Sequence, residues 1–330
     1  MHKNTKYNKI IFDIVYTWVD FSNLKWKNDY NKYYNKINNT NNYNIMNRSN
    51  SNLEELKYSL RSIEKHLKVN IGKIYVVSNY GSVPDFLSDN KKVVIVDYLL
   101  LLKKKTFNSQ AIESVLHKIP NLREYFLYFN DDFMLGSDIY VNDLVDDDGK
   151  LIWYCENNFF IKLHNKFPNI DLLLKLDSGV SSSRNYTYDI IMKKNKIKNM
   201  VFQPISHCVR IFKKSMVKKF IYIYKNHIKK MRKNIFRNNE IFCFIDGFYA
   251  HYLIHEELKF INTKKTLTLV QHDYNAKNII LYYYNFINIY YAVNFHFLCV
   301  EDIRKNSINV DINIKSFLEK LFNLKSRYEK

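Results

Sequence analysis

Residues Tyr125 to Asp132 read Tyr-Phe-Leu-Tyr-Phe-Asn-Asp-Asp, an apolar and aromatic run that passes directly into an amide and two acids. A short continuous apolar run is the pattern of a strand buried on both faces. Working outward, Ile74-Tyr-Val-Val77 and Val93-Val-Ile-Val96 repeat it, Ile10 to Val19 (IIFDIVYTWV) is β-branched and aromatic, and Leu151 to Cys155 is a further candidate strand. Between these runs, Leu53, Leu56, Leu60 and Ile63 keep helical spacing after Ser51-x-x-Glu54, which has the form of a capping box. They predict a helix to about His66, and Ser109 is placed to cap a second one to about Ile119. Strands alternating with helices over the first 155 residues predict an α/β layer structure with a largely parallel sheet. Residues 25–50, polar and rich in Asn and Tyr, read as a mobile loop or a disordered insertion.

The second half reads as more helical. Phe220, Tyr224, Ile228, Met231 and Ile235 form a stripe at helical spacing, ringed by Lys218, Lys219, Lys225, Lys229, Lys230, Arg232 and Lys233. The plain reading is a helix docked on the core with a solvated basic face. The functional one is contact with a membrane surface or a polyanion. No internal repeat or Pro-rich linker marks a boundary. The expected division is residues 1–150 as an α/β half and 151–330 as a mostly helical half, the two completing one site.

Composition narrows the class. The 330 residues carry 51 Lys or Arg against 32 Asp or Glu, a formal charge of +19. They include 6 Gly and 4 Pro, where an average chain of this length has about forty. That excludes collagen, flexible low-complexity chains and disulfide scaffolds. Cys155, Cys208, Cys243 and Cys299 form no CxxC pair and read as buried thiols of a reducing compartment. The polar N-terminus and Asp13 argue against a secretory signal. Asn278 to Val300 lacks charges but contains four Asn, so it reads as buried structure rather than a membrane span. Lys, Asn, Ile and Tyr are abundant throughout, which weakens the net charge as a functional clue. Motifs must decide.

Asn130-Asp131-Asp132 is the sharpest of them. Ligands of parallel α/β sheets bind outside the carboxyl ends of the strands. Two adjacent acids there suit a divalent cation bridging phosphates, and they equally suit a turn that caps the next segment. Asp20 ends the first candidate strand in the same way. Asp146-Asp-Asp148 before Gly149 reads as a solvated turn. Taken singly, His207 reads as structural, and Arg237 as a cation that favours a helix C-terminus.

Together these segments say more. Tyr16-Thr-Trp-Val-Asp20, Glu54-Glu-Leu-Lys-Tyr-Ser-Leu-Arg-Ser-Ile-Glu64, Thr106-Phe-Asn-Ser-Gln-Ala-Ile-Glu113 with Leu116-His-Lys-Ile-Pro120, and Tyr128-Phe-Asn-Asp-Asp-Phe-Met-Leu-Gly136 occur in this order. They resemble the first two conserved regions of the Stealth family, sugar-1-phosphate transferases of bacterial capsules and of animal N-acetylglucosamine-1-phosphate transfer. Later stretches resemble that family more loosely: His207 with Arg210, Arg237-Asn-Asn-Glu240, Phe297-Leu-Cys-Val-Glu-Asp302, and Phe317 to Glu329. Asn52, Phe21 and Glu301 depart from its usual Asp, Gly and Asn.

The resemblance implies a Rossmann-like, GT-A-like nucleotide-sugar fold. It implies a transferase that moves a hexose 1-phosphate from a UDP-sugar to a sugar hydroxyl and releases UMP. On the residues alone, two other readings stand beside it: a metal-dependent glycosyltransferase releasing UDP, and a non-catalytic polyanion-binding module. The resemblance places Asp131, Asp132, His207 and Arg237 in catalysis and Trp18, Asp20, Arg61, Asn108, Asn130 and Glu240 on substrate. Asp132 and Asp302 would hold Mg²⁺ or Mn²⁺. His207 suits either a general base or a phosphate ligand. The expected partners are the UDP-sugar and a glycan acceptor, with no nucleic acid. The expected location is cytoplasmic, with peripheral contact at the inner membrane surface as an option.

Overall fold

A computed structural model describes residues 7–37, 54–156, 179–198, 200–238, 241–263, 266–271, 296–302 and 308–330. The strand Ile11–Thr17 (β1) lies at the centre. It pairs in parallel with β2 (Asn70–Ser78) on one edge and with β4 (Tyr125–Asn130) on the other. β3 (Val93–Asp97) extends the sheet in parallel beyond β2, and β7 (Arg210–Lys213) closes it antiparallel beyond β4. The order β3-β2-β1-β4-β7 bears out the α/β, largely parallel expectation. The chain builds outward from β1 to β3 and then returns to the other side. This makes a topological switch between β1 and β4, where crevices open at the carboxyl ends. The interior positions of these strands, among them Ile14, Val15, Ile74, Val76, Leu127 and Phe129, are buried, as their unbroken apolar runs require.

A buried carboxylate sews the amino ends of three strands together. Asp13 is fully buried; its Oδ1 accepts from Lys73 N at 2.8 Å and its Oδ2 from Arg123 N at 2.8 Å. The register of β1 against β2 shifts between Phe12 and Ile14, at this residue. Gly72 lies so close that an added Cβ would overlap Asp13 Oδ1. The acid that interrupts the apolar run therefore belongs to the sheet.

Helices depart from expectation in four places. Leu24–Tyr34 is a helix (α1) where a loop is expected. Asn23 caps it by accepting from Trp26 N, and Trp26 and Tyr30, one turn apart, are buried against Phe107 and Phe236. The aromatic spacing was a helical face inside a polar composition. Residues 38–50 lie outside the described residues, as do Ser51 and Leu53. α2 (Glu55–His66) buries Leu56, Leu60 and Ile63 as its periodicity predicts. Its N-cap is Glu54, which sits at φ 53° without a side-chain cap bond and pairs with Lys57 and Lys315. After α3 (Tyr98–Leu102), α4 (Ser109–Glu113) is capped by Asn108 rather than Ser109 and is followed by a 3₁₀ turn at Leu116–Lys118. The single basic helix is two. α6 (Lys214–Ile223) and α7 (Lys225–Lys233) break at Tyr224, and Ile235 lies beyond the second.

The remaining elements join distant stretches. β5 (Phe133–Leu135) follows β4 directly and pairs antiparallel with β10 (Phe297–Asp302), which pairs with β9 (Thr266–Gln271). β6 (Leu151–Glu156) pairs in parallel with β8 (Leu258–Thr263). α5 (Gly179–Asn195) packs on α8 (Phe244–Ile254), and α9 (Ile308–Leu321) lies against α2. All four cysteines are buried thiols outside any disulfide, as read from sequence. Asp146–Gly149 is the expected turn, with Asp146 Oδ1 accepting from Asp148 N and Lys150 N. No helix among the described residues is long and apolar enough to cross a membrane. The uncharged stretch 278–295 lies outside them, and its continuation into Phe297–Val300 is a buried strand.

Two predictions follow from this packing. Gly72→Ala should destabilise the protein by about 1–3 kcal/mol, the usual cost of overpacking, and Asp13→Ala by at least as much by leaving two backbone donors unanswered, both read from urea denaturation. Burial and the nearby Arg232, Lys118, Lys218 and Lys214 push His117 down to about 3. Burial, His255 and Lys219 push His251 down to about 4. Both imidazoles stay neutral in the fold while the unfolded chain protonates near ~6.5. Stability is therefore complete above that pH and declines as pH falls toward 4, with a slope of up to about 1.4 kcal/mol per pH unit for each histidine. His117→Gln should flatten that slope.

Candidate active site

The carboxyl ends of β1 and β4 meet at the switch point. Thr17 is in register with Asn130 across the pair. Beyond Thr17, Trp18 donates its N–H to Val77 O at 3.0 Å and packs half-buried on the core. Asp20 is locked to the end of β2: its N–H donates to Asn79 Oδ1 at 2.6 Å, and its carbonyl accepts from Asn79 Nδ2 at 3.0 Å. Its carboxylate accepts from the backbone and hydroxyl of Ser22, the cap reading of this residue. Beyond β4, Asn130, Asp131 and Asp132 are half-buried, and the chain turns at once into β5.

Antiparallel pairing brings the second half of the chain to this point. Arg210 pairs with Tyr128, so the stretch just before β7, including His207, arrives at the carboxyl end of β4. His207 Nδ1 lies 3.9 Å from Cys299 Sγ, and its ring is 6.2 Å from that of Phe133. Cys299 is the register partner of Phe133, and Val300 N donates to Asp132 O at 3.2 Å. His207 and the two acids therefore share one corner of the fold. The Arg210 guanidinium sits 5.2 Å over the Phe133 ring, and its Nε is buried with no hydrogen-bond partner among the described residues. The backbone of β10 continues past Asp132 toward Glu301 and Asp302, whose side chains lie outside the described residues.

Arg237 reaches the same region by another route. Phe107 N donates to Ile235 O at 2.7 Å, and the exposed Arg237 guanidinium donates to Ser109 Oγ at the start of α4. Asn108 is fully buried; its Oδ1 caps α4 through Gln110 N at 3.1 Å, and its Nδ2 has no partner among the described residues. Glu240 lies outside the described residues.

Beneath the strand ends lies a residue offered only as part of a longer motif. Glu113, at the end of α4, is buried, with Oε1 3.3 Å from the Tyr128 hydroxyl. That hydroxyl also lies 2.5 Å from Asn130 Oδ1 and 3.0 Å from Thr17 Oγ1. Burial pushes the Glu113 carboxyl up, while Arg237 and Arg210 pull it back. One acid thus feels both arginines of the region and touches the network that holds Asn130. Asp246 is a second buried acid there, accepting from Arg184 Nε at 2.8 Å. The sequence signal for Glu113 was an acid at the inward position of a short helix otherwise marked by Ala111 and Ile112.

Arg61, expected on substrate, is held by acids from the far end of the described chain. On α2, it donates to Glu329 through Nε and Nη2 at 2.9 and 2.8 Å, and through Nη1 to Glu319 and Phe322 O at 2.9 and 2.8 Å. Arg61 and Glu329 are 7% and 3% exposed, so this is an internal clamp. Arg61→Ala should lower stability by about 3–5 kcal/mol, the usual cost of breaking a buried pair, while leaving nucleotide-sugar affinity unchanged; denaturation and calorimetric titration read the two separately.

No cluster of three or more His, Cys, Asp or Glu gathers as a metal cage among the described residues. Asp131 and Asp132 supply hard oxygen donors at a strand end, and a cation that keeps waters and substrate oxygens needs few protein ligands. The donor set fits Mg²⁺ or Mn²⁺ with those two residues as ligands.

Comparison with known proteins places these segments. Residues 49–152 match Stealth protein CR2, conserved region 2. The chain is 29% identical over 235 residues to the capsular polysaccharide phosphotransferase LcbA of Aeromonas hydrophila, covering 69% of this chain and 61% of that one. It is 43% identical over 95 residues to the N-acetylglucosamine-1-phosphotransferase subunits alpha/beta of Mus musculus, covering 27% of this chain and 8% of that one. The crystal structure of the galactosyltransferase LgtC aligns over 95% of this chain and 96% of its own at 10% identity, with a TM-score of 0.45. The chain spans about three fifths of the length of its bacterial relative. It carries the conserved region 2 of the Stealth proteins, and the resemblance drawn from its sequence holds there.

Proposed function

We propose that the chain is a sugar-phosphate transferase of capsule or surface polysaccharide synthesis. It moves a hexose 1-phosphate, or its N-acetyl form, from a UDP-sugar to a sugar hydroxyl. One observation carries this reading: the His207–Arg210 stretch meets Asn130-Asp131-Asp132 at the switch point, beside a Stealth region. The relatives named as phosphotransferases support it.

The acceptor oxygen attacks the phosphorus bonded to the sugar. A new P–O bond forms, the pyrophosphate P–O bond breaks, and UMP leaves with the electron pair. His207 takes the acceptor proton; its Nδ1 faces Cys299, so Nε2 is the atom that receives it. Arg210 and Arg237 meet the charge on the non-bridging oxygens, where phosphoryl transfer needs positioning and neutralisation more than covalent help. Glu113 holds Tyr128, and through it Asn130, in place. Mg²⁺ or Mn²⁺ on Asp131 and Asp132, with Asp302 as a further candidate ligand, would add charge neutralisation at the pyrophosphate. Trp18 and Asp20 border the donor, and Asn108 offers its buried amide nearby. Such an enzyme works in the cytoplasm on a glycan acceptor and has no use for nucleic acid.

The deciding measurement is phosphorus NMR on the protein with a panel of UDP-sugars, divalent metal and oligosaccharide acceptors. UMP and a phosphodiester are expected. UDP in their place would make the chain an ordinary glycosyltransferase, and no nucleotide product at all would remove the enzyme reading. Asp132→Asn should cost about 10²–10³ in rate with the fold intact. His207→Ala should abolish transfer while UDP-sugar binding survives, and Arg237→Ala should impair both.

A further inference from the structure

From residue 190 to residue 239 the chain has fifteen Lys or Arg and no Asp or Glu. The whole chain averages about one acid in ten residues, so about five are missing from this window. A general excess of lysine does not remove acids, so the gap is specific to this segment.

The fold leaves much of that charge exposed, with Lys225, Lys229 and Lys233 along one side of α7. α6 and α7 bury Met216, Val217, Phe220, Ile228 and Met231, which turns Lys218, Lys225, Lys229, Lys230 and Lys233 outward. The exposed lysines at the end of α5 adjoin the start of α7, where Asn195 Nδ2 donates to the Tyr224 hydroxyl at 3.2 Å. Burial and the cations Lys230 and Lys194 together push His227 down, so the two helices share one field. Lys225, Lys229 and Lys233 stand four residues apart on α7. Like charges at that spacing repel and weaken a helix, and a bound polyanion would relieve the repulsion. Only Lys230, Arg232 and Lys233 lie in the last turn, where the helix dipole favours them.

The face also leads somewhere. Lys104 Nζ donates to Lys233 O at 2.8 Å, Phe107 N to Ile235 O, and Arg237 to Ser109. Only three residues lie between the last lysine of α7 and Arg237, which meets the start of α4 beside the candidate active site.

We propose that this cationic face is a track for the growing acceptor, a polysaccharide made anionic by its own phosphodiester links. The inference rests on the transferase reading and deepens it. Each transfer adds one negative charge to the product, so the product becomes a ligand of the face as it lengthens, and long acceptors are held beside the site while short ones are not. A membrane surface is the competing occupant. The path from α7 to Arg237 favours a linear polymer, because a flat bilayer gains nothing from a line of cations that ends at the catalytic corner.

The test uses the whole chain and K225E/K229E/K233E, with K225Q/K229Q/K233Q in reserve should charge reversal disturb folding. Circular dichroism checks each variant. The probes are poly(glycerol phosphate) teichoic acid, neutral dextran, and vesicles of phosphatidylcholine with one third phosphatidylserine. The native chain should bind the teichoic acid with strong salt dependence and ignore dextran. The variant should bind about tenfold more weakly at 0.1 M salt, as expected when several phosphate contacts are lost. Equal affinity of native and variant chains would overturn the proposal. So would vesicle binding through these lysines that matches or exceeds polymer binding. UMP release from short and long acceptors is measured separately. Its absence for both would defeat the transferase reading, whereas loss of the long-acceptor advantage in the variant supports the track.

Discussion

The antiparallel pairing of Arg210–Lys213 with Tyr125–Tyr128 is the contact on which the candidate site depends. A parallel sheet alone would leave Asn130, Asp131 and Asp132 at the end of an edge strand, with nothing cationic beside them. By closing that edge, β7 makes β4 an interior strand and delivers His207 and Arg210 to its carboxyl end. β5 and β10 then fasten the other side of the acids, since Val300 donates to Asp132 O and Cys299 pairs with Phe133. Acids and bases separated by some 75 residues or more in the chain meet because strand pairing is specific in register, and one step of slippage would turn every side chain to the wrong face.

Under that corner the polar groups are arranged as a support. Tyr128 is in the middle of an apolar strand, yet its hydroxyl reaches Thr17, Asn130 and Glu113. Glu113 is held at the end of a helix of five residues whose start is capped by Asn108 and pinned by Arg237. The short helix is stable only through these tertiary bonds, because a single turn has little stability of its own. Contacts thus run from Arg237 to Ser109 at one end of α4, and from Glu113 at its other end through Tyr128 to Asn130.

Much of this was legible in the sequence, for identifiable reasons. β1 to β4 were readable because a strand buried on both faces has no polar alternation to confuse with another pattern. The acids at the end of β4 were readable because position in a parallel sheet carries functional meaning. Asp13 counted in the sequence only against a secretory signal, because its place in the sheet depends on two backbone donors, Lys73 and Arg123, that no local pattern announces. α1 was hidden by composition: its Asn and Lys residues spoke for disorder, while Trp26 and Tyr30 carried the helix. Arg61 and Arg237 look alike as isolated arginines, and only the carboxylates brought from residues 319 and 329 mark Arg61 as a clamp. No local pattern contains that information, because the partners lie more than 250 residues away.

The Arg61 clamp has a further consequence for how the protein comes to its shape. Its partners, Glu319, Phe322 and Glu329, are made more than 250 residues after Arg61 during synthesis from the amino end. A guanidinium with one buried face must then wait, exposed or answered by water, through the translation of more than 250 residues. Contacts of such separation are slow to find and costly to close before the intervening chain has condensed. Until residues 319–329 have been made, the Arg61 side of α2 therefore has none of these partners.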